Sequence, residues 1–279
     1  QRAVCPFCAL TASLAACNAV IRTVRSCPSL SEVVRQRQMA TRPPNSINNL
    51  ARMKISEAAF DQLTQMPLLN STGTPPANLR VAQTSSWAVW ASREGKENTS
   101  WSRDTSILHY GFLRDVIHAD AVLIALNDGG AERADALPEW HMFHSGARDY
   151  MLAEAVEDTW LWGAYMTDFY KGMATKTAAE LKGHLDSLGA TERESLDQLM
   201  ADQISAELTA LGARDPLLIT IGNDAEKAVR ARFGSQYRVA KLTHYSAQQL
   251  RKDDYRAEVK KLVEQHPEPG FAQTTGASQ

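Results

Sequence analysis

The sequence predicts an α/β domain in which a central, mainly parallel four-stranded sheet lies between two layers of helices. Two observations lead to this prediction: four apolar runs of strand length occur between residues 119 and 244, and segments with helical periodicity separate them. Strands that alternate with helices favour a parallel sheet that is covered on both faces. The 279 residues are 44% hydrophobic and 22% charged, which is typical of a globular protein with a substantial core.

The predicted elements follow in a regular order. A helix over 56–66, with Ser56 as its N-cap, precedes a segment of strand composition at 79–92. The four strands of the sheet are predicted at 119–126, 162–169, 216–222 and 237–244. The helices beside them are predicted at 149–159, 191–211, 223–233 and 246–265. We therefore expect residues 39–265 to form a single three-layer α/β/α domain.

The two ends of the chain differ from this region in composition. All four cysteines lie within the first 27 residues, and residues 1–38 contain five Arg and one Glu. We expect 1–38 to be a leader that is disordered or not native, although its composition also resembles a targeting segment. We expect 266–279 to be a flexible tail. Cys5 and Cys8 have the CxxC spacing found in zinc, iron–sulfur and redox sites, but the spacing to Cys17 and Cys27 fits no such site and no His lies nearby, so neither a metal nor a cofactor is expected.

Charge and hydropathy restrict the partners of the protein. No apolar run approaches the ~20 residues that span a bilayer, so no membrane partner is expected. The protein is expected to be a cytoplasmic monomer. The net charge is −2, but residues 226–261 contain ten Lys or Arg and four Asp or Glu, a local excess of +6. Such a run is either a solvated helix face or a patch that binds DNA phosphates.

Polar residues follow each predicted strand. They are Asn127-Asp128, Thr167-Asp168, Gly222-Asn223 and His244-Tyr245-Ser246. In a parallel sheet these ends share one edge, where α/β proteins bind ligands, and we expect Asn127, Asp128 and His244 to line one cleft. The alternatives are that Asn127 and Asp128 only form a turn and that His244 is an ordinary strand-end histidine.

Two of these strand ends carry a family resemblance. The segments "LIALNDGG" (123–130) and "KLTHYSA" (241–247) resemble the two active-site motifs of the uracil-DNA glycosylase superfamily. In that superfamily the first motif is a strand running into Asn-Pro-Gly or Asp-Pro-Tyr, and the second is a strand running into His-Pro-Ser. The segments "GAYMTDFYK" and "LLITIGNDAEKAV" resemble the intervening strands, so the resemblance covers roughly 80–264. The sequence departs from the motifs at Asp128 and Tyr245, which stand where proline is usual.

The resemblance implies a metal-free, monofunctional DNA glycosylase. Asn127 would position water, Asp128 would activate it or stabilise the cationic sugar, and His244 would donate a hydrogen bond to the departing base. The remaining site residues are assigned to two groups. The base would be bound by Phe143 or Trp140 as stacking rings, with Gly129 leaving space beside them. The phosphates would be bound by Ser246 at a helix start, Lys171, Arg251 and Lys252.

The residues around the first motif bear on the identity of the base. Gly129 and Gly130 leave room after Asp128, and the polar segment that follows could bind a hydroxyl-rich substituent. This resembles the anti-phage members of the superfamily, which remove glucosylated hydroxymethylcytosine and leave abasic viral DNA. The alternatives are a uracil-DNA glycosylase in repair, another nucleoside or nucleotide hydrolase, and a DNA-binding protein without catalysis. Phe143 could also be a packing residue, and Asp168 and Lys171 a plain surface pair.

Overall fold

A computed structural model describes residues 52–69, 79–94, 100–102, 104–128, 138–144, 148–173, 175 and 177–269. The predicted leader, Gly129, Gly130 and all of the predicted tail after 269 lie outside the described residues. The helices are α1 (Glu57–Gln65), α2 (Tyr110–Leu113), α3 (Asp149–Val156), α4 (Ala178–Ser187), α5 (Ala190–Ala210), α6 (Asn223–Phe233) and α7 (Lys252–Gln265). The strands are β1 (Ser85–Trp87), β2 (Ala91–Glu94), β3 (Ser100–Ser102), β4 (His118–Asn127), β5 (Ala164–Tyr170), β6 (Leu217–Ile221) and β7 (Val239–Leu242).

The main sheet has five strands in the order β1-β5-β4-β6-β7. Strands β5, β4, β6 and β7 run parallel, as predicted, whereas β1 pairs antiparallel with β5. The prediction of four strands was therefore wrong by one edge strand, and the sheet is mixed. The segment 79–92 gave no clear signal of this because it is divided: a 3-10 turn at Val81–Gln83 precedes β1, and its last residues begin the β2–β3 hairpin.

Helices cover both faces of the sheet. The chain leaves β4 towards β5, then returns past β4 to reach β6 and β7. Because crossovers between parallel strands are right-handed, this reversal puts α3 on one face and α5 and α6 on the other. The packing agrees, since α3 packs against α7 and α5 packs against α6. The α/β prediction is confirmed.

Strand β4 occupies the middle of the core. Its residues Val122, Leu123 and Ile124 have no exposed surface. A strand covered on both faces requires such a continuous apolar run, and truncating one of these side chains to Ala would cost about 2–4 kcal/mol. The same strand ends abruptly in Asn127 and Asp128, so the buried run carries polar groups to the edge of the core.

The two edges of the sheet are short and polar. At one edge, β1 is only three residues long. At the other edge, β7 exposes Lys241, and the Arg230 guanidinium on α6 donates a hydrogen bond of 3.0 Å to the carbonyl of Val239. In the described part of the chain, no helix combines the length and apolar character needed to cross a bilayer.

Candidate active site

The strand order creates a crevice at the carboxyl edge of the sheet. From β4 the chain crosses in one direction to β5, whereas β6 is reached from the opposite direction. Loops that follow β4 and β6 therefore diverge, and open α/β sheets bind ligands at such a reversal. The residues at this position are Asn127 and Asp128 after β4, and Gly222 and Asn223 after β6.

The pairing register relates the strands that carry Asn127 and His244. Ile124 lies beside Thr220, and Thr220 lies beside Lys241. Asn127 is the last residue of β4, and His244 follows β7 by two residues and lies next to Gly222. Strands β4 and β7 are separated by two inter-strand spacings, which is about 10 Å.

The side-chain amide of Asn127 has a defined orientation. Its nitrogen donates to the carbonyls of Asp128 (2.9 Å) and Met173 (3.1 Å), and to the hydroxyl of Thr175 (2.9 Å). Because both carbonyls can only accept, the amide nitrogen must face them. The oxygen Oδ1 is left without a hydrogen-bond partner among the described residues, so it can accept a hydrogen bond from a water molecule or a ligand.

Two buried carboxyl groups lie beside this amide. Asp128 is buried, and its backbone carbonyl also accepts from the Thr175 N–H at 3.1 Å. Asp168 lies on β5 opposite Ala125 and is only 1% exposed. Burial raises the pKa of Asp168 to about 7; Lys171 opposes the shift, and Asp128 and Glu207 add to it. Near neutral pH much of Asp168 is therefore protonated.

His244 is held as a neutral hydrogen-bond donor. Its Nδ1 accepts the backbone N–H of Ser246 at 3.2 Å and is 2.8 Å from the Ser246 hydroxyl. Burial lowers the pKa of His244, so the ring is neutral at pH 7 and its proton sits on Nε2. Gly222, with φ of +97°, lies behind the ring, where a Cβ would be 3.6 Å from that of His244. Among the described residues, Nε2 has no hydrogen-bond partner.

The loop that carries Ser246 is held by Arg148. The guanidinium donates to the carbonyls of Ser246 (3.4 Å), Ala247 (2.6 Å) and Leu250 (2.7 Å). The prediction that Ser246 starts a helix was wrong, because α7 begins only at Lys252 with Arg251 as its N-cap. Three carbonyls bound by one side chain keep this segment out of the helix. The hydroxyl of Ser246 therefore serves His244 and has no helix N-terminus behind it.

Three further residues that were predicted to bind the ligand lie in the interior of the protein: Lys171, Trp140 and Phe143. Lys171 is buried, with its ammonium 3.1 Å from Glu207 and bonded to the Thr167 hydroxyl, so it is not available to a phosphate. The interpretation of Lys171 and Asp168 as a surface pair was also wrong, because both are in the interior.

Neither predicted stacking ring is an exposed surface. Trp140 is 2% exposed and packs in the core between the rings of Phe60 and Trp87. Phe143 is also buried, and its carbonyl accepts from the Trp90 indole at 3.3 Å. Both residues have positive φ, 61° and 65°, a strained conformation that persists only where the surrounding packing enforces it. The tight turn between them directs the chain inwards, which the sequence did not indicate.

The basic run contains less free charge than its composition suggests. Seven of its ten cations form ion pairs: Lys227, Arg230, Arg232, Arg238, Lys241, Lys252 and Arg256. Lys252 and Arg256 both pair with the buried Glu154 of α3. Arg251 is exposed at the start of α7, whereas Lys260 and Lys261 lie more than ~10 Å down the helix. The cations near the crevice are therefore mainly Arg251 and Lys252.

Comparison with family models and with curated proteins does not identify the chain. A scan of protein-family models finds none that fits it, and a search of curated proteins finds no significant match. Among the described residues, no group of three or more His, Cys, Asp or Glu side chains is arranged to hold a metal ion. Any assignment of function therefore depends on the motifs and on the geometry of the crevice.

Proposed function

We propose that the protein is a DNA glycosylase that hydrolyses the N-glycosidic bond of a flipped-out base. The base would be a bulky modified cytosine, glucosylated on its hydroxymethyl group, and the product would be abasic phage DNA. One observation supports this proposal: at the carboxyl ends of parallel strands, the imidazole of His244 and the amide of Asn127 are each oriented by hydrogen bonds at one atom, and Nε2 and Oδ1 have no partner among the described residues.

His244 would stabilise the departing base. As the glycosidic bond breaks, negative charge develops on the base and positive charge on the sugar. The Nε2–H of His244 would donate a hydrogen bond to the carbonyl oxygen of the base where this charge develops. A fixed donor of this kind contributes about 2.7–4 kcal/mol to transition-state stabilisation. The bond from Ser246 to Nδ1 keeps the required tautomer.

Asn127 and Asp128 would supply the water nucleophile. The Oδ1 of Asn127 would accept a hydrogen bond from the water molecule and orient its oxygen towards the sugar. The adjacent Asp128 carboxylate would take the one proton that the water releases as it attacks, or stabilise the cationic sugar before water attacks. The three bonds at the amide nitrogen of Asn127 fix this geometry before substrate binds.

The surrounding charges favour an extruded nucleotide. A base inside a duplex cannot reach the end of β4, so it must be flipped out and its flanking phosphates held. Arg251 and Lys252 stand at the start of α7, next to the loop that carries His244. The proposal that the base is bulky rests on Gly129 and Gly130 in the sequence. Both lie outside the described residues.

The proposal is tested with duplexes that each carry a single uracil, hydroxymethylcytosine or glucosylated hydroxymethylcytosine. We expect alkali-labile strand breaks at the glucosylated base, and none when Asn127→Ala replaces the wild type. Efficient release of uracil without release of the glucosylated base would contradict the proposed substrate. A gel shift with no abasic product on any duplex would show a binding protein rather than an enzyme.

A further inference from the structure

The turn that follows β7 brings two neighbouring rings face to face. The rings of His244 and Tyr245 stack with their centroids 4.9 Å apart and an angle of 26° between their planes. Successive side chains of an extended strand point to opposite faces, so this stacking requires the chain to turn at these residues. The Ala247 N–H closes the turn by donating to the His244 carbonyl at 2.9 Å. The imidazole is thus supported on one face, in addition to its bonds with Ser246 at Nδ1.

Tyr245 is anchored in the interior, although the neighbouring His244 is only partly buried. Burial raises the pKa of the Tyr245 hydroxyl well above its usual range, and the charges of Asp149 and Asp168, with a hydrogen bond to Asp149, add to the shift. The hydroxyl therefore stays protonated, and Asp149 at the start of α3 holds the far end of the ring. Tyrosine lacks the ring closure by which proline fixes φ, so the turn at position 245 needs this support from elsewhere in the fold.

The backbone of the same turn is held by Arg148, the residue next to Asp149. The carbonyls that accept from its guanidinium are those of Ser246, Ala247 and Leu250. A planar guanidinium presents its donors in a fixed fork and can bind several acceptors at once, which a single ammonium group does not match. Arg148 and Asp149 both belong to the connection between β4 and β5. The segment that follows β4 therefore holds both the backbone and the stacked ring of the turn after β7.

We propose that Arg148 and Tyr245 are positioning residues that hold the imidazole of His244 in the orientation used for base release, and this inference rests on the proposed function. Neither residue needs to touch the substrate. Arg148 sets the path of the backbone, Tyr245 sets the plane of the imidazole, and Ser246 selects its tautomer. A displacement of a catalytic group by about 1 Å can lower a rate about 100-fold, so the loss of this support has a measurable effect.

The positioning role differs from two simpler roles for the same residues. Arg148 could instead supply a positive charge to a phosphate, in which case lysine would serve as well, because lysine also binds phosphates as a point charge. Tyr245 could instead only fill space in the core, in which case its loss would lower stability and leave the tautomer of His244 unchanged. Substitutions that keep the charge or the ring therefore separate these roles from positioning.

The test combines single-turnover base release from the glucosylated duplex, at saturating protein, with nitrogen NMR of the histidine rings in the isotope-labelled full chain. In the wild type we expect a neutral His244 ring protonated on Nε2, identified by its absence from the spectrum of His244→Gln. Arg148→Lys and Tyr245→Leu should each lower the rate about 10–100-fold and mix the two tautomers. Tyr245→Phe keeps the stacked ring and should stay within about fivefold of the wild type. The matched control, Arg256→Lys on α7, should keep both the rate and the spectrum.

The outcomes separate the two proposals. Wild-type rates in Arg148→Lys and Tyr245→Leu, or lower rates with an unchanged His244 spectrum, would overturn the positioning role and leave the glycosylase standing. If the wild type releases no base from any duplex, the proposed function fails and the positioning role fails with it. The two substitutions lie on different elements, so either variant decides the question if the other does not fold.

Discussion

The two ends of strand β4 carry similar residue types in different surroundings. The amino end contains His118 and Asp120, whereas the carboxyl end contains Asn127, followed by Asp128, with His244 two strands away. At the amino end, His118 has no exposed surface, and its Nδ1 lies 3.7 Å from Asp120. The Arg52–Glu268 ion pair and the Met53 N–H, which donates to Asp120, close this end. At the carboxyl end, His244 and Asn127 are only partly buried, and each has one polar atom without a hydrogen-bond partner among the described residues.

The comparison shows that residue type does not by itself make a site. Burial and Arg52 lower the pKa of His118 to about 3, with the backbones of Trp162 and Trp160 partly opposing the shift. Its ring is neutral and enclosed by protein. The ring of His244 is also neutral, but Ser246 orients it and the strand reversal leaves it accessible. The position of the crevice, which follows from topology, separates the two histidines.

The largest expected difference between the two ends is in catalysis. We expect His244→Gln to lower base release about 10²–10³-fold, because the donor to the departing base is lost. His118→Leu should leave the rate within about twofold, since the proposed mechanism uses no residue at the amino end of β4. Single-turnover rates on the glucosylated duplex measure both. Equal losses in the two variants would mean that the effect is one of folding and would remove the distinction.

The second difference is in acid stability. The pKa of His118 is lower in the folded protein than the ordinary 6.5, so the unfolded chain takes up a proton first as pH falls. Its contribution to the free energy of unfolding is therefore complete above pH 6.5 and falls by about 1.4 kcal/mol per pH unit between 6.5 and 3. His144, whose pKa burial likewise lowers to about 3, acts in the same direction, and the raised pKa of Asp168 acts against both.

Replacing His118 by Leu should remove the contribution of this histidine to the pH dependence of the free energy of unfolding. Urea unfolding at pH 7, 6, 5 and 4.5 should then show a slope about 1.4 kcal/mol per pH unit shallower than that of the wild type. Parallel curves for the two proteins would contradict the description of His118 as a buried neutral histidine.

A third, smaller effect concerns the orientation of Asn127. Thr175→Val keeps the shape and the backbone N–H but removes the hydroxyl that accepts from the Asn127 amide. One lost hydrogen bond of about 1 kcal/mol should reduce the rate of base release about fivefold. Thr175→Ser retains the hydroxyl and is the matched control. Similar rates for the Val and Ser variants would show that the other two bonds suffice.

The smallest effect should be in DNA affinity at moderate salt. Arg251→Ala with Lys252→Ala removes two cations next to the crevice. The slope of the logarithm of the binding constant against the logarithm of the salt concentration should become shallower by about one to two. The value lies below the full two because Lys252 is already paired with Glu154. The double variant Lys260→Ala, Lys261→Ala removes the same charge from the far end of α7 and should leave the slope unchanged. A reversed result would place the DNA on another face.

The elements with strong periodicity were predictable. The four parallel strands and α6 lie within about two residues of their predicted positions, and Ser56 caps α1 as expected, accepting the Ala59 N–H at 3.2 Å. The order of polar strand ends also depends only on chain order. Strand β1 escaped prediction because three residues are too few for a period, and its pairing with β5 is a long-range contact. Helix α4 was likewise not predicted.

The states of the site residues were not predictable. Nothing in the sequence around Asp168 indicates that burial holds it near its protonation point, since this depends on α5 and on Asp128. Trp140 was considered as a stacking ring because it lies in the irregular segment after the first motif, yet its neighbours in space are Phe60 and Trp87. Lys171 was assigned to phosphate binding, whereas its partner in the structure, Glu207, is 36 positions further along the chain. Tertiary packing determines all three.

The short, polar edges of the sheet affect how the protein behaves at high concentration. An open sheet edge can recruit a strand from another molecule, and repeated recruitment leads to aggregation. Here the outer face of one edge offers only the three residues of β1, and the other edge presents the charged Lys241 while Arg230 occupies the carbonyl of Val239. A newly synthesised chain would thus find few backbone groups on its neighbours to pair with. The same parallel core that opens a crevice at its carboxyl end is in this way protected at its sides.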